Sequence, residues 1–246
     1  IASGLMLVWA NDFRAVFWVA VLPGLLAVLL LALGVREPGR PQDAPSQARP
    51  ANPLSRESVR LLPAAYWWVV MMGAVFTLAR FSEAFLVLRA SELGMPLVWI
   101  PLVMVAMNLV YAATAYPFGK LSDSVSAMKL LAVGLVVLVL ADLVLAQASS
   151  VQALLAGVAL WGVHMGMTQG ILARMVADTA PSSLRGTAFG LFNLVSGLAM
   201  LVASVIAGGL WDAFGPKMTF LAGAVFALLS LMLMAMGRLR GCFPGD

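Results

Sequence analysis

Seven long apolar runs, each carrying few charged residues, dominate this sequence and limit what it can fold into. They lie near residues 13–35, 64–88, 97–118, 128–147, 151–176, 186–211 and 216–237. As an α-helix, each run is long enough to cross the hydrocarbon core of a bilayer, which takes about 20 residues. Strands are the poorer prediction, because no run alternates apolar and polar residues as a membrane barrel requires.

The composition agrees with a membrane protein. Hydrophobic residues make up 62% of the chain and charged residues 11%, whereas a soluble domain is about half apolar and a quarter charged. These values exclude a water-soluble globule and a disordered chain. A disulfide scaffold is excluded because Cys242 is the only cysteine. The sequence therefore predicts an all-α, polytopic (multi-pass) integral membrane protein with the lipid bilayer as its surroundings.

A proline-rich segment divides the chain into three parts. Residues 36–60 contain five prolines among Gly, Ser, Gln and Arg, which is typical of a solvated, extended linker. Residues 61–246 follow as a six-helix transmembrane domain. Residues 1–35 precede the linker, and within them residues 1–10 are apolar but only half the length of a span. We expect residues 1–10 to be the end of an earlier helix, and the chain to be a fragment of a longer protein or the product of a truncated gene model.

Lysine and arginine predict the orientation. If the linker is cytoplasmic, eleven basic residues fall on that side and three on the other, with Arg80 inside a span. The eleven are Arg36, Arg40, Arg49, Arg56, Arg60, Lys120, Lys129, Arg174, Arg185, Arg238 and Arg240, and the three are Arg14, Arg89 and Lys217. Linker and C-terminus are thus expected in the cytoplasm. The basic residues are spread over separate loops, so the net charge of +4 does not indicate a nucleic-acid partner.

Polar residues inside the spans are the candidate substrate or proton pathway. Arg80 and Glu83 are costly in a membrane helix, so they should point inward and either bind substrate or a coupling proton, or form a structural ion pair or outer gate. Inside a span, the carboxyl group of Asp142 needs either a proton or a hydrogen-bond donor. It is expected either to belong to the substrate or proton pathway or to form a hydrogen bond to another helix. Asn108 and Tyr111 are candidates for ligand contacts or for hydrogen bonds between helices.

The run near 151–176 has two distinct faces. One carries Trp161, His164 and Thr168, which suit the wall of a cavity, and the other carries the glycines at 162, 166 and 170. His164 is the only histidine, which excludes a multi-histidine metal site. Its imidazole is expected to make either a structural hydrogen bond or a contact with substrate or a proton.

Glycines are expected to form helix-packing faces on two spans. Small residues let another helix approach closely in lipid, either for static packing or for sliding during a conformational cycle. The glycines are Gly162, Gly166, Gly170, Gly186, Gly190, Gly197 and Gly208.

Motifs for enzymatic chemistry are absent from the sequence. It contains no G-x-S-x-G, no H-E-x-x-H, no P-loop and no Gly-rich dinucleotide turn after a strand. We therefore expect neither an enzyme nor a cofactor or metal. Transport, if present, would draw on ion or solute gradients or on facilitated diffusion.

One loop resembles a family signature. Gly119, Leu121 and Asp123, followed by Lys129, resemble the G-x-L-[SA]-D-R-x-G-R-[RK] pattern of the major facilitator superfamily, with Ser124 where that pattern has Arg. Further runs look like bacterial members of the same family. They are residues 80–85, 185–190 and 207–212.

The resemblance implies a fold for the whole chain. The chain would be the C-terminal half of a twelve-helix major facilitator fold, preceded by one helix, the end of another and the cytoplasmic linker. Its partner would be the missing N-terminal half of the same protein, in a bacterial inner membrane. Asp123 would sit near the cytoplasmic start of the eleventh helix, the run near 186–211, and latch the inward gate, with the changed residue at Ser124 weakening that latch.

The resemblance and the inward charges together predict a secondary transporter. Its first form is proton-coupled export of a small organic solute or drug by alternating access, with Glu83 titrating beside Arg80. The alternatives are a transporter-like receptor, sensor or assembly subunit that moves nothing, and an inactive half-transporter.

Overall fold

The computed structural model describes residues 13–34 and 59–239 and is helical wherever it has regular structure. Within these residues, the α-helices are, in chain order, α1 Phe13–Gly34, α2 Ala64–Ala79, α3 Ala84–Glu92, α4 Pro101–Leu121, α5 Ala127–Gln147, α6 Val151–Thr168, α7 Ile171–Thr179, α8 Arg185–Phe214 and α9 Pro216–Leu239. A short 3₁₀ turn, Ser182–Leu184, precedes α8. The expectations for residues 1–10, for the linker up to residue 58 and for Arg240 lie outside the described residues.

Six segments of the described chain are long and apolar enough to cross a membrane. They are α2 with α3, α4, α5, α6 with α7, the 3₁₀ turn with α8, and α9. They match the last six predicted runs, and α1 coincides with the first. The prediction of an all-α polytopic membrane protein is confirmed to this extent.

Short connections make consecutive spans antiparallel. The end of the bundle at which α2 begins is called the linker end here, and the opposite end, at which α3 stops, is called the distal end. The connections α4–α5 and α7–α8 and the last residue of α9 lie at the linker end. The connections α3–α4, α5–α6 and α8–α9 lie at the distal end.

Local sequence explains where several spans start and stop. The hydroxyls of Ser126 and Ser150 accept hydrogen bonds from the backbone N–H of Lys129 and Ala153 and so cap α5 and α6. Between α8 and α9, Gly215 has φ +79°, a conformation that glycine adopts without the steric penalty of a Cβ. The turn is therefore encoded by a single residue.

Two of the six spans are interrupted near their middle. Residues 80–83 separate α2 from α3, and residues 169–170 separate α6 from α7. The first interruption differs from the continuous helix that the sequence predicts for 64–88. Backbone groups freed by a break in a membrane helix are tolerated only where protein or a water-filled cavity surrounds them.

α6 packs between α4 and α5. α9 packs against α5 and α2, and α8 packs against α2. Trp161 of α6 is the largest fully buried side chain. Outward faces remain apolar, especially on α8, where Leu194, Leu198, Leu201 and Val205 are exposed, as expected for surfaces that meet lipid or another helix.

Candidate functional site

The two interruptions face each other in the middle of the bundle. Nη1 of Arg80, in the first break, donates to Oε1 of Gln169, in the second, over 3.4 Å. Nη2 of Arg80 lies 4.0 Å from Oε1 of Glu83. The break between α2 and α3 thus holds Arg80 and Glu83 close together outside a helix.

Arg80 has hydrogen-bonding capacity to spare. Its side chain is 17% exposed, its two polar contacts are both long, and its buried Nε has no partner. A guanidinium offers several N–H donors in a rigid fork that fits carboxylates and phosphates. The ring of Phe76 lies 5.8 Å from Cζ of Arg80, which adds a cation–π contact. A solute with an anionic or carbonyl oxygen could therefore bind here.

A cavity of about 340 Å³ adjoins the second break on its linker-end side. Tyr111 of α4 and Gln169 line it, with Gly119, Ser122 and Arg174 toward the linker end. Gln169 lines the cavity and also accepts the hydrogen bond from Arg80, so one residue separates the guanidinium from the cavity wall. Its volume falls in the range of small-molecule sites.

His164 is fully buried one turn before the second break. Its Nδ1 lies 2.7 Å from the carbonyl oxygen of Gly134 in α5, a distance at which an Nδ1–H donates to that oxygen. Its ring lies 5.5 Å from that of Phe76. Thr168 Oγ1 donates to the carbonyl oxygen of His164 over 2.9 Å. Phe76 is therefore a neighbour of both the histidine and Arg80.

Trp161 and Asp142 lie toward the distal end, away from the cavity. Trp161 packs 5.7 Å from the ring of Phe81, and its Nε1 is buried with no partner. Asp142 is 0% exposed, and neither carboxylate oxygen has a hydrogen-bond partner. The inter-helix hydrogen bond considered for Asp142 is thus not formed within the described residues.

Asn108 is exposed on α4, and its Nδ2 donates to the carbonyl oxygen of Met104. The structure therefore brings Arg80, Glu83 and Tyr111 to the breaks and the cavity. It buries His164 and Thr168 within the bundle, places Trp161 and Asp142 toward the distal end, and leaves Asn108 on the outside.

The signature loop lies at the linker end. Gly119 lines the cavity, and Leu121, Asp123 and Lys129 are exposed. Nη1 of Arg174, in α7, donates to the carbonyl oxygen of Ser122 over 2.9 Å. The loop is thus tied to the span that contains the second break. The latch between Asp123 and α8 stays a prediction.

The predicted packing glycines differ in their surroundings. A Cβ at Gly162 would lie 2.6 Å from the carbonyl oxygen of Met107, and one at Gly166 would overlap Thr114, so α6 approaches α4 closely at both. The other five glycines face open space. They are Gly170, Gly186, Gly190, Gly197 and Gly208.

Sequence reasoning missed Gln169, Phe81 and Gly223. Gln169 is a polar residue followed by Gly170 in the middle of an apolar run, a signal for an interrupted span. Phe81 and Gly223 carry no such signal, because their importance comes from contacts between distant spans.

Within the described residues, six apolar spans, two of them broken opposite each other around a partly buried arginine, define a polytopic helical membrane protein with a polar site between its helices. The sequence profile of the Major Facilitator Superfamily matches residues 1–197 and 84–241. The chain belongs to the Major Facilitator Superfamily.

Two relatives extend this comparison. An uncharacterized MFS-type transporter of Methanocaldococcus jannaschii, MJ1317, is 36% identical over 185 residues, which are 73% of this chain and 46% of that protein. The uncharacterized protein Rv2265 of Mycobacterium tuberculosis H37Rv is 27% identical over 238 residues, 95% of this chain and 56% of that protein. The chain therefore spans about half the length of these relatives.

Proposed function

We propose that the protein is a secondary active transporter that exports a small organic solute by alternating access, driven by protons. Membership of the superfamily and the printed name of the M. jannaschii relative, an MFS-type transporter, support transport as the activity. The observation that carries the proposal is the contact between Arg80 and Gln169, which joins two mid-span breaks beside an open cavity. Discontinuous helices are a common way to build a transporter's solute site.

Arg80 selects the chemistry of the solute. Its spare donors favour a carboxylate, phosphate or carbonyl oxygen. Phe76, and Tyr111 on the cavity wall, offer aromatic surface to an apolar body. An organic acid or a drug-like molecule with a polar oxygen and a hydrophobic ring or chain fits these walls.

Glu83 is the proposed site of proton exchange. Its side chain is 33% exposed and lies 4.0 Å from Arg80, so water can reach it and its carboxylate can pair with the guanidinium. An anionic solute that binds Arg80 would compete with the Glu83 carboxylate. Protonation of Glu83 and solute binding at Arg80 are thereby linked.

The proposed arrangement in the membrane follows the basic residues. The linker end faces the cytoplasm of a bacterial inner membrane, with most Lys and Arg on that side. A second six-helix unit packs against the open faces and completes the site. Asp123 latches the cytoplasmic side at the start of α8, and Arg174 holds the same loop from α7.

Transport assays in proteoliposomes test the proposal. The protein at its full natural length is reconstituted, and a pH gradient drives uptake or release of a panel of organic acids and drugs. We expect Glu83→Gln to abolish gradient-driven flux and Arg80→Lys to weaken solute binding, because lysine lacks the forked donors. Unchanged proton-coupled flux in Glu83→Gln would remove Glu83 from the mechanism.

Glu92→Gln is the matched control. Glu92 pairs with Arg89 in the same span, three residues apart, but at the distal end. Its replacement should leave flux at the level of the unmodified protein. Solute binding with no flux for any member of the panel would instead support a receptor or sensor.

A further inference from the structure

Asp142 is a buried carboxyl group that does not belong to the proposed solute site. It lies in α5, five residues before the end of the helix. The residue is 0% exposed, and both of its oxygens are buried without a hydrogen-bond partner. An ionised carboxylate without a partner is strongly disfavoured in such surroundings. The protonated, neutral acid avoids this cost.

The carboxyl group of Asp142 packs against a glycine of another span. Oδ2 of Asp142 lies 2.8 Å from the point where a Cβ of Gly223, in α9, would be, and Cε1 of Phe81 lies 2.9 Å from the same point. The carboxyl group of Asp142 and the ring of Phe81 thus both pack against the Cα of Gly223, which carries no side chain. Only glycine at this position leaves room for both.

Phe81 connects this contact to the first break. It is one of the residues between α2 and α3, directly after Arg80, and is 3% exposed. Its ring lies 5.3 Å from Phe85, 5.7 Å from Trp161 and 5.7 Å from Phe220. Four spans therefore meet around Phe81, and a charge on Asp142 would appear beside this aromatic cluster.

The charged groups near Asp142 in the described chain make their contacts with other residues. On α2–α3, Arg80 is directed to Gln169 and Glu83, and Arg89 donates to the carbonyl oxygen of Ala148 and pairs with Glu92. On α6, the titratable group is His164, which is bonded to Gly134. The parts of α9 at this junction, Gly223 and Phe220, carry no charge. Within the described chain, no cation lies within ion-pair distance of Asp142.

We propose that Asp142 is a proton-binding site distinct from the solute site, and that its proton keeps the junction of Phe81, Asp142 and Gly223 closed. Release of the proton creates an unpaired charge, which is relieved when α3 and α9 move apart and water enters from the distal end. Movement of Phe81 then shifts Arg80, which links proton release to the solute site. The consequence for transport rests on the proposed function. The binding and release of a proton by Asp142 do not depend on it.

Infrared spectroscopy tests the protonation step without any transport. Purified protein in lipid is titrated from low to high pH, and the C=O stretching band of protonated carboxylic acids is followed. We expect one component of this band to be missing in Asp142→Asn, which is nearly isosteric with the neutral acid. The control is Asp212→Asn, an exposed carboxylate on α8, which should keep that component. No difference between Asp142→Asn and the unmodified protein would overturn the proposal.

Thiol labelling tests the opening of the junction. Ser82, within the first break, is replaced by Cys in a Cys242→Ser background. Its alkylation rate is measured against pH relative to that of a Cys at exposed position 124, because thiols react faster as they ionise at higher pH. We expect the rate to rise about tenfold with deprotonation, within the usual range of coupling between sites. The rise should vanish in Asp142→Asn. An equal rise in Asp142→Asn would contradict the proposal.

Gly223→Ala is a second variant that keeps the acid but obstructs the junction. The added methyl group would press on Asp142 and Phe81, so labelling at position 82 should be fast even at low pH. Labelling at the unmodified low-pH rate would contradict the link between Asp142 and the break. Should Asp142→Asn fail to fold, this variant and the band of the unmodified protein still decide the question.

Transport separates this inference from the proposed function. We expect Asp142→Asn to lose gradient-driven accumulation about tenfold while solute exchange without a gradient persists. Full gradient-driven accumulation in Asp142→Asn would overturn the coupling role. If the unmodified protein moves no solute of the panel, the transporter proposal fails for that panel, and spectroscopy and labelling still decide the role of Asp142.

Discussion

The hydroxyl of Tyr66, in α2, donates a hydrogen bond of 2.9 Å to the carbonyl oxygen of Ala188, in α8. Both residues are fully buried, although 122 positions separate them. The bond joins the linker ends of two spans that pack side by side. It holds the first turns of α8 beside the first turn of α2.

Replacing Tyr66 with Phe should lower stability by about 0.5–1.5 kcal/mol, the usual net value of one buried hydrogen bond. The carbonyl of Ala188 keeps its place in the α8 helix, so the loss stays moderate. Thermal unfolding in detergent measures it, as a midpoint lower by about 1–6 °C. The control is Tyr116→Phe, because Tyr116 is 80% exposed and should leave the midpoint unchanged. Equal shifts in the two variants would contradict a role for the Tyr66 bond.

Gly162→Ala should destabilise the contact between α6 and α4 by about 1–3 kcal/mol, the usual cost of overpacking. The new methyl group would meet the carbonyl oxygen of Met107 at 2.6 Å and Cβ of Val110 at 3.0 Å, and backbone cannot rotate away as a side chain can. Gly209→Ala, in α8, is the control, because nothing lies within 4 Å of its added carbon. It should be neutral or stabilising by up to about 1 kcal/mol, since alanine favours the helix. A stable Gly162→Ala variant would show that α4 can move away.

The spans could be predicted from the sequence because each depends on a local property, a long apolar run. The interruption at residues 80–83 could not, since these residues include neither Gly nor Pro, the usual signals of a broken helix. Within this break, Phe81 packs against Trp161 and Phe220, which belong to two other spans. The break at 169–170 does carry such a signal in Gly170.

The contacts between residues of different spans could not be predicted from the sequence either. Small residues at 162 and 190 look alike in sequence, yet the first lies against α4 and the second faces open space. Asp142 stands out in the sequence as an acid inside a span, but its neighbour Gly223 lies 81 positions away. Sequence therefore indicated which residues are unusual and left undetermined what each one contacts.

His164→Asn should keep most of the stability, whereas His164→Ala should lose about 2–4 kcal/mol. The amide nitrogen of asparagine can take the place of Nδ1 and donate to the carbonyl oxygen of Gly134, which alanine cannot do. Thermal unfolding ranks the three proteins, and solute flux is measured beside it. Normal flux in His164→Asn would assign His164 to structure. A stable His164→Asn protein without flux would assign it to the solute or proton pathway.

Arg174→Ala should loosen the signature loop with little effect on stability. Arg174 and its ion-pair partner Asp178 are half exposed or more, and their atoms lie 3.7 Å apart, so the pair contributes at most about 1 kcal/mol. The hydrogen bond to the carbonyl oxygen of Ser122 is instead the tie between α7 and the loop. We expect alkylation of a Cys at position 124, in a Cys242→Ser background, to become severalfold faster in Arg174→Ala.

Asp178→Asn separates the two contacts of Arg174. It removes the ion pair and leaves the guanidinium free to donate to Ser122, so labelling at position 124 should stay near the unmodified rate. If Asp178→Asn accelerated labelling as much as Arg174→Ala, the ion pair would be what holds Arg174 in place. The loop would then be tied to α7 through two residues, and loss of either would release it.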